Sequence, residues 1–222
     1  MIDLHTHTIF SDGELIPSEH VHRAYMKGIE VLGITDHVDA SNIDFVVPRL
    51  VKVCKELQGR FPIKVIPGCE LTHVPPETIQ ELADYGRSLG AKIVIVHGES
   101  IMDTVPKGTN LSACNSNIDI LAHPGLITEE EVAFAKKNEV FLEITARAIH
   151  AFTNGHVASL AKKQGANLVL NTDAHTSNEF IDLKTAEKIA LGCSLSLSLL
   201  LSNSRFLIKK ALRQANMHYG LG

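Results

Sequence analysis

No two of the four cysteines in this 222-residue chain, Cys54, Cys69, Cys114 and Cys193, stand at the spacing of a redox pair or a zinc knuckle. They read as scattered thiols of a reducing compartment. Long apolar runs are also lacking. The most apolar stretch, Leu195 to Leu201, is broken by serines and is too short to span a bilayer. No run of Lys and Arg occurs and the formal net charge is -4, so the polypeptide has no overall pull toward nucleic acid. Met1 to Leu4 lead straight into a strand-like run, which leaves no room for a secretory signal. The expectation is a soluble cytoplasmic protein. With no repeat, linker or low-complexity segment, residues 1–222 are expected to form one domain around one core.

The apolar residues that are present, 45% of the chain, fall into short runs. Val31–Thr35, Ile63–Ile66, Lys92–Val96, Ile118–Leu121, Val140–Ile144 and Asn167–Leu170 are rich in β-branched residues, as strands buried on both faces are. Between them lie amphipathic segments, Ser18–Lys27, Val46–Gln58, Pro76–Leu89, Glu129–Lys137 and Gly155–Gln164. Thr128 ahead of three glutamates is an N-cap with acids in the first turn. This βαβα alternation predicts a parallel sheet with helices outside. From residue 178 onward no such strand follows. Asp182–Leu191 and Ser204–Asn216 read as covering helices, and Ser194–Ser202 reads equally as strand or helix.

Seven apolar runs end alike, in IDLHTH, LGITDH, VIPGCE, IVIVHGE, DILAHPG, FLEITAR and LVLNTDAH, and six of them deliver His, Asp or Glu at the strand end. Ligand-type groups at the C-terminal end of every strand favour closure into a barrel, because an open sheet gathers its ligands at one switch point. The set is His5, His7, Asp12, His37, Glu70, His97, His123, Asp173 and His175. Period two places His5 and His7 on one face of a strand. Imidazole nitrogen and carboxylate oxygen without thiolate suit zinc, manganese or iron(II). Nine ligands exceed one ion and fit two or three, with Glu70 a natural bridge. A lone histidine is more often a satisfied structural residue, and His20, His22, His73, His156 and His218 are read that way. Carboxylates and imidazoles buried at the density of the strand-end set would be costly without cations.

The ordered motifs HTHTxxSDG, ITDH, GCE, VHGE, AHPG and NTDAH resemble the PHP (polymerase and histidinol phosphatase) superfamily from Asp3 to about Asn178. The resemblance implies a distorted seven-stranded (β/α)7, TIM-like barrel with a trinuclear site at the C-terminal ends of its strands. His5, His7, Glu70 and Asp173 would hold the first ion. Glu70, His97 and His123 would hold the second, and Asp12, His37 and His175 the third. Asp12 stands where many relatives have histidine. Asp36 is implied to orient a ligating imidazole. The short chain is similar to the compact stand-alone phosphatase-type members, with residues 178–222 a helical cover.

Three divalent ions against the carboxylates of Asp12, Glu70 and Asp173 leave a site of about +3, which favours a phosphate dianion. Glu70 and Asp173 are the expected catalytic centre, acting on a small phosphomonoester of histidinol-phosphate or nucleotide type. Arg147, past the one strand without a ligand, is a candidate phosphate clamp or else a surface arginine paired with a carboxylate. His150, Asn154 and Glu99 are further candidates for substrate contact. Glu143 is either a support for a ligand or a core-facing residue. The competing readings are a nuclease or cyclic-nucleotide phosphodiesterase, a metal-binding module without turnover, and an amidohydrolase.

Overall fold

The computed structural model describes residues 1–218, with side chains as far as Arg213. It is built on parallel strands wound in chain order around an interior. The strands are β1 (Ile2–Asp3), β2 (Val31–Ile34), β3 (His37–Val38), β4 (Lys64–Leu71), β5 (Ile93–His97), β6 (Ile120–Ala122), β7 (Phe141–Thr145) and β8 (Leu168–Asn171). The helices are α1 (Pro17–Met26), α2 (Ile43–Leu57), α3 (Ile79–Ser88), α4 (Thr109–Cys114), α5 (Glu129–Lys137), α6 (Asn154–Gln164), α7 (Leu183–Gly192) and α8 (Leu197–His218).

β2 and β3 are one stave with a break. Val31–Ile34 pair with Lys64–Pro67 of β4, and His37–Val38 resume on Glu70–Leu71 of the same strand. The barrel therefore has seven staves. It closes through a parallel bridge between Thr6 and Ala174, bonds from His7 N to Ala174 O and from Asp173 N to His5 O, and a bond from Leu4 N to the Asn171 side chain. This is the distorted (β/α)7 barrel that the motifs imply.

Alternation along the strands sorts the core into two clusters. Val94, Val96, Leu121, Leu142, Ile144, Leu168 and Leu170 pack outward against the helices. Ile93, Ile95, Ile120, Phe141 and Val169 pack inward, where Leu207, Ile208 and Ala211 of α8 join them. Asn203 of α8 donates to Leu168 O and Lys210 pairs with Glu139, both where strands begin. Helix α8 thus plugs the N-terminal mouth of the barrel. Going up the interior, apolar side chains give way to polar ones: Ile93 and Ile95 to His97, Phe141 to Glu143, Val169 to Asn171. The chemistry is left to the C-terminal mouth.

Local signals account for several boundaries. Helix α5 starts at Glu129 because Thr128 and Glu131 form a reciprocal capping box, a cap of about 1 kcal/mol. The alternating segment at Ser194–Ser202 is largely helix, since α8 begins at Leu197. β4 runs on to Leu71, past the apolar run that stops at Ile66. His218 closes α8, but its side chain lies outside the described residues. Among the described residues no single helix is long and apolar enough to cross a membrane.

Candidate metal centre

All nine strand-end residues meet at the C-terminal mouth, around a cavity of about 300 Å3 whose walls include Asp12, His37, His97, Arg147, Asp173 and His175. Glu70 lies at the middle of the set and is fully buried. Its Oε1 is 3.3 Å from His5 Nε2 and 3.4 Å from His97 Nδ1. Its Oε2 is 2.6 Å from His37 Nδ1 and 3.6 Å from His7 Nε2. Asp173 Oδ1 stands 3.1 Å from His7 Nε2, and its Oδ2 stands 3.6 Å from His123 Nε2. Asp12 Oδ1 is 3.1 Å from His175 Nε2 and 3.5 Å from His37 Nε2.

The electrostatics are those of a site built around positive charge. Burial alone would raise the pKa of Glu70, but His5 and His37 hold it well below the usual carboxylate range. Burial also opposes protonation of His5, yet Glu143, Glu70 and Asp173 push its pKa well up. His7 and His123 are held neutral, by burial first and then by neighbouring imidazoles. Asp173 is pushed up to about 7 by burial, with Glu70 and Glu143 adding to it against His5.

The residues fit divalent ions. Among the described residues, seven of the nine buried side-chain polar atoms without a hydrogen-bond partner belong to His5, His7, Glu70, His97 and His123. Buried polar groups are rarely left so, and here the orphaned atoms converge. Ligand atoms lie within 4.8 Å of one another in the groups His5, His7, Asp173; Glu70, His97, His123; and His7, Asp12, His37, His175. His123 and Asp173 also have positive φ, 27° and 53°, a strained conformation for residues with side chains. Gly125, just past His123, has φ 62°, and a Cβ there would collide with the Glu99 carbonyl.

Surrounding groups fix the imidazoles. His5 donates from Nδ1 to Glu143 Oε1 at 2.9 Å, which turns Nε2 toward Glu70. Glu143 lies on the interior face of β7, also accepts from Asn171 Nδ2 at 2.9 Å, and is therefore a support for His5. At His175, Nδ1 lies 2.8 Å from Arg147 Nη1 and 2.9 Å from Asp173 O, so Nε2 is the nitrogen turned toward Asp12, 3.1 Å away. Nη1 of Arg147 also donates to Asp173 O and Glu179 Oε1, each at 3.0 Å.

Asp36 corrects an expectation. Its carboxylate accepts from Thr8 N, Thr8 Oγ1 and Ser11 Oγ at 2.7–2.8 Å and, among the described residues, bonds no imidazole nitrogen. It braces the turn that carries Asp12. Two substrate-contact candidates are also placed elsewhere. Asn154 spends its amide on the backbone N and O of Thr145. Glu99 accepts from Gly108 N and Asn110 N at the start of α4. Arg147 and His150 do line the cavity. His150 pairs through Nδ1 with Ser100 Oγ at 2.7 Å and stacks on His123 at 4.2 Å.

Residues that sequence reasoning passed over complete the walls. His73, read as structural, stacks 5.1 Å from His97. Asp103 reaches His97 Nε2 at 3.2 Å, and Thr72 lies 2.6 Å from His37 Nδ1. Both are carried on loops with no motif of their own. Of the other histidines set aside, His20 is buried against Thr6 and His156 pairs with Ile127 O.

Against known proteins, a family model described as PHP domain matches residues 3–196. An uncharacterized protein of Methanocaldococcus jannaschii is 44% identical over 87% of this chain and 90% of its own length. A probable phosphatase of Clostridium acetobutylicum is 29% identical over 80% of each chain. Among solved structures, the histidinol phosphate phosphatase of Lactococcus lactis, complexed with zinc, L-histidinol and phosphate, is similar in fold. Its TM-score is 0.57 at 20% identity, with 95% of this chain and 93% of that chain covered.

Proposed function

The chain belongs to the PHP domain family of metal-dependent phosphoesterases, and from that premise we propose that it hydrolyses a small phosphomonoester at a trinuclear site. The observation that carries this reading is the convergence of orphaned buried imidazole and carboxylate atoms on one cavity. His5, His7, Glu70 and Asp173 would hold a first ion, Glu70, His97 and His123 a second, and Asp12, His37 and His175 a third. Zinc, manganese or iron(II) suits these donors. Such ions would supply positive charge for phosphate oxygens and acidify a water at the site.

The chain's own groups do the rest. Glu70 joins two ligand sets into one. Glu143 keeps His5 Nε2 turned inward, and the Asp36 braces hold the Asp12 turn. Arg147 lines the cavity and its Nη2 has no partner among the described residues, so that edge would meet a phosphate oxygen. His150 pairs with Ser100 Oγ through Nδ1 and turns its Nε2 to the mouth, 3.5 Å from Asp103 Oδ2. The cavity suits a small substrate. Asp103 stands in its wall, and the chain has no run of Lys or Arg to offer a long polyanion such as nucleic acid a basic track. We extend the proposal to the whole chain: residues 1–222 act as one barrel unit, with the segment from 178 as its helical cover.

Phosphate release from a panel of phosphomonoesters, beside nucleotides and DNA ends, by metal-loaded protein tests the reading. Release from small monoesters alone is expected. Preference for DNA ends would move the assignment to a nuclease, and inertness toward every substrate would end it.

A further inference from the structure

Glu179 sits four residues beyond His175, in the turn that leaves β8, and no motif covers it. Its two oxygens do different work. Oε2 accepts from the backbone N of His175 at 2.7 Å and of Thr176 at 2.9 Å, closing the turn behind His175. Oε1 takes Arg147 Nη1 at 3.0 Å, across 32 residues of sequence. Nη1 also donates to Asp173 O and lies 2.8 Å from His175 Nδ1, so this corner of the guanidinium is pinned to the cavity wall. Nε faces the Asp173 carboxylate at 3.7 Å, outside hydrogen-bond range. Nη2 is left over.

We infer that Glu179 is a positioning residue: it aims Arg147, so that the free edge of the guanidinium is already directed at the phosphate site before substrate arrives. The inference rests on the phosphomonoesterase reading, in which Arg147 meets phosphate. A free arginine side chain carries rotamer entropy, which an unpinned Arg147 would surrender on each binding event. Glu179 moves that cost into folding. Its negative charge does not cancel the benefit, because two backbone N–H groups already hydrogen-bond the other oxygen.

The discriminating variant is Glu179→Gln. Its amide oxygen can still close the turn on His175 N and Thr176 N. Its NH2 then faces the Arg147 N–H groups, donor against donor, and releases the guanidinium. Inorganic phosphate serves as probe, measured by calorimetry on metal-loaded protein, beside KM and kcat for the best phosphomonoester. Glu179→Gln is expected to weaken phosphate binding and raise KM about tenfold, to change kcat less, and to keep its metal content. Arg147→Ala is expected to do at least as much, and the double variant no more than Arg147→Ala alone.

Unchanged phosphate binding in Glu179→Gln beside weakened binding in Arg147→Ala overturns the inference. So does a double variant in which the two effects multiply. Loss of metal from Glu179→Gln would show that Glu179 acts through His175 and would overturn it too. If Arg147→Ala itself binds phosphate normally, the phosphate-clamp reading of Arg147 fails first, and the inference goes with it.

Discussion

Replacing Glu70 with glutamine removes one charge and almost no volume from the middle of the site. The packing is kept, because the side chain is fully buried and the two residues are near-isosteric. What changes is a carboxylate that stands 2.6–3.6 Å from His5, His7, His37 and His97. Breaking a buried charge set by removing one partner costs on the order of 3–5 kcal/mol, or about 10^2 to 10^4 in ion affinity. Glu70 belongs to two of the proposed ligand sets, so both the first and second ions should weaken together. Elemental analysis after gel filtration, with thermal denaturation across a zinc or manganese titration, reads this directly. An ion at a hundred times its Kd stabilises the folded chain by about 2.7 kcal/mol. Glu70→Gln should lose that stabilisation at the same concentration, along with its phosphate release. A Glu70→Gln protein that keeps the wild-type ion content and activity would refute the bridging role and the pairing of the two sets.

Three further outcomes follow from other residues. Glu143→Gln leaves His5 in place but weakens the group that sets its tautomer, and metal affinity measured by competition with a chelator should fall about 10- to 100-fold. Asp12→Ala should cost one ion per chain, with the two ions around Glu70 retained, as counted by elemental analysis. His20 is buried, its Nδ1 has no partner, and burial pushes its pKa down to about 3. Between pH 6.5 and that value the unfolded chain binds a proton at this residue that the folded chain does not, so stability falls as pH falls through the window. Its share is about 3 kcal/mol between pH 7 and pH 4. Urea denaturation of His20→Gln, which keeps a donor for Thr6, should show a correspondingly shallower loss than the wild type, and equal slopes would contradict it.

The barrel was legible because its signals are local. Short β-branched runs alternate with amphipathic segments, and the capping box at Thr128 and Glu131 marks the start of α5 to the residue. Elements that depend on distant partners left no such mark. β3 is two residues long and exists because β4 extends far enough to pair with it, through Pro67 and Gly68, which carry no strand propensity. Helix α4 is six residues, only half of them apolar, started by Gly108 at φ 93° and by the Glu99 carboxylate nine and eleven residues away. The same division holds in the site. Each proposed ligand except Asp12, which sits in a turn, stands at or just past a strand end and could be found by that habit, whereas Asp103, His73 and Glu179 acquire their places only when separate loops meet. Asp36 shows the opposite failure: its motif is plain, but its carboxylate serves a neighbouring turn and not an imidazole.

Metal content and phosphate release measured on one preparation, before and after chelation, test the central claim most directly. The account predicts two to three divalent ions per chain, hydrolysis of a small phosphomonoester that disappears with the ions, and its recovery when they are restored. Hydrolysis that persists in metal-free protein, or a fully loaded protein that cleaves no phosphoester, would contradict it.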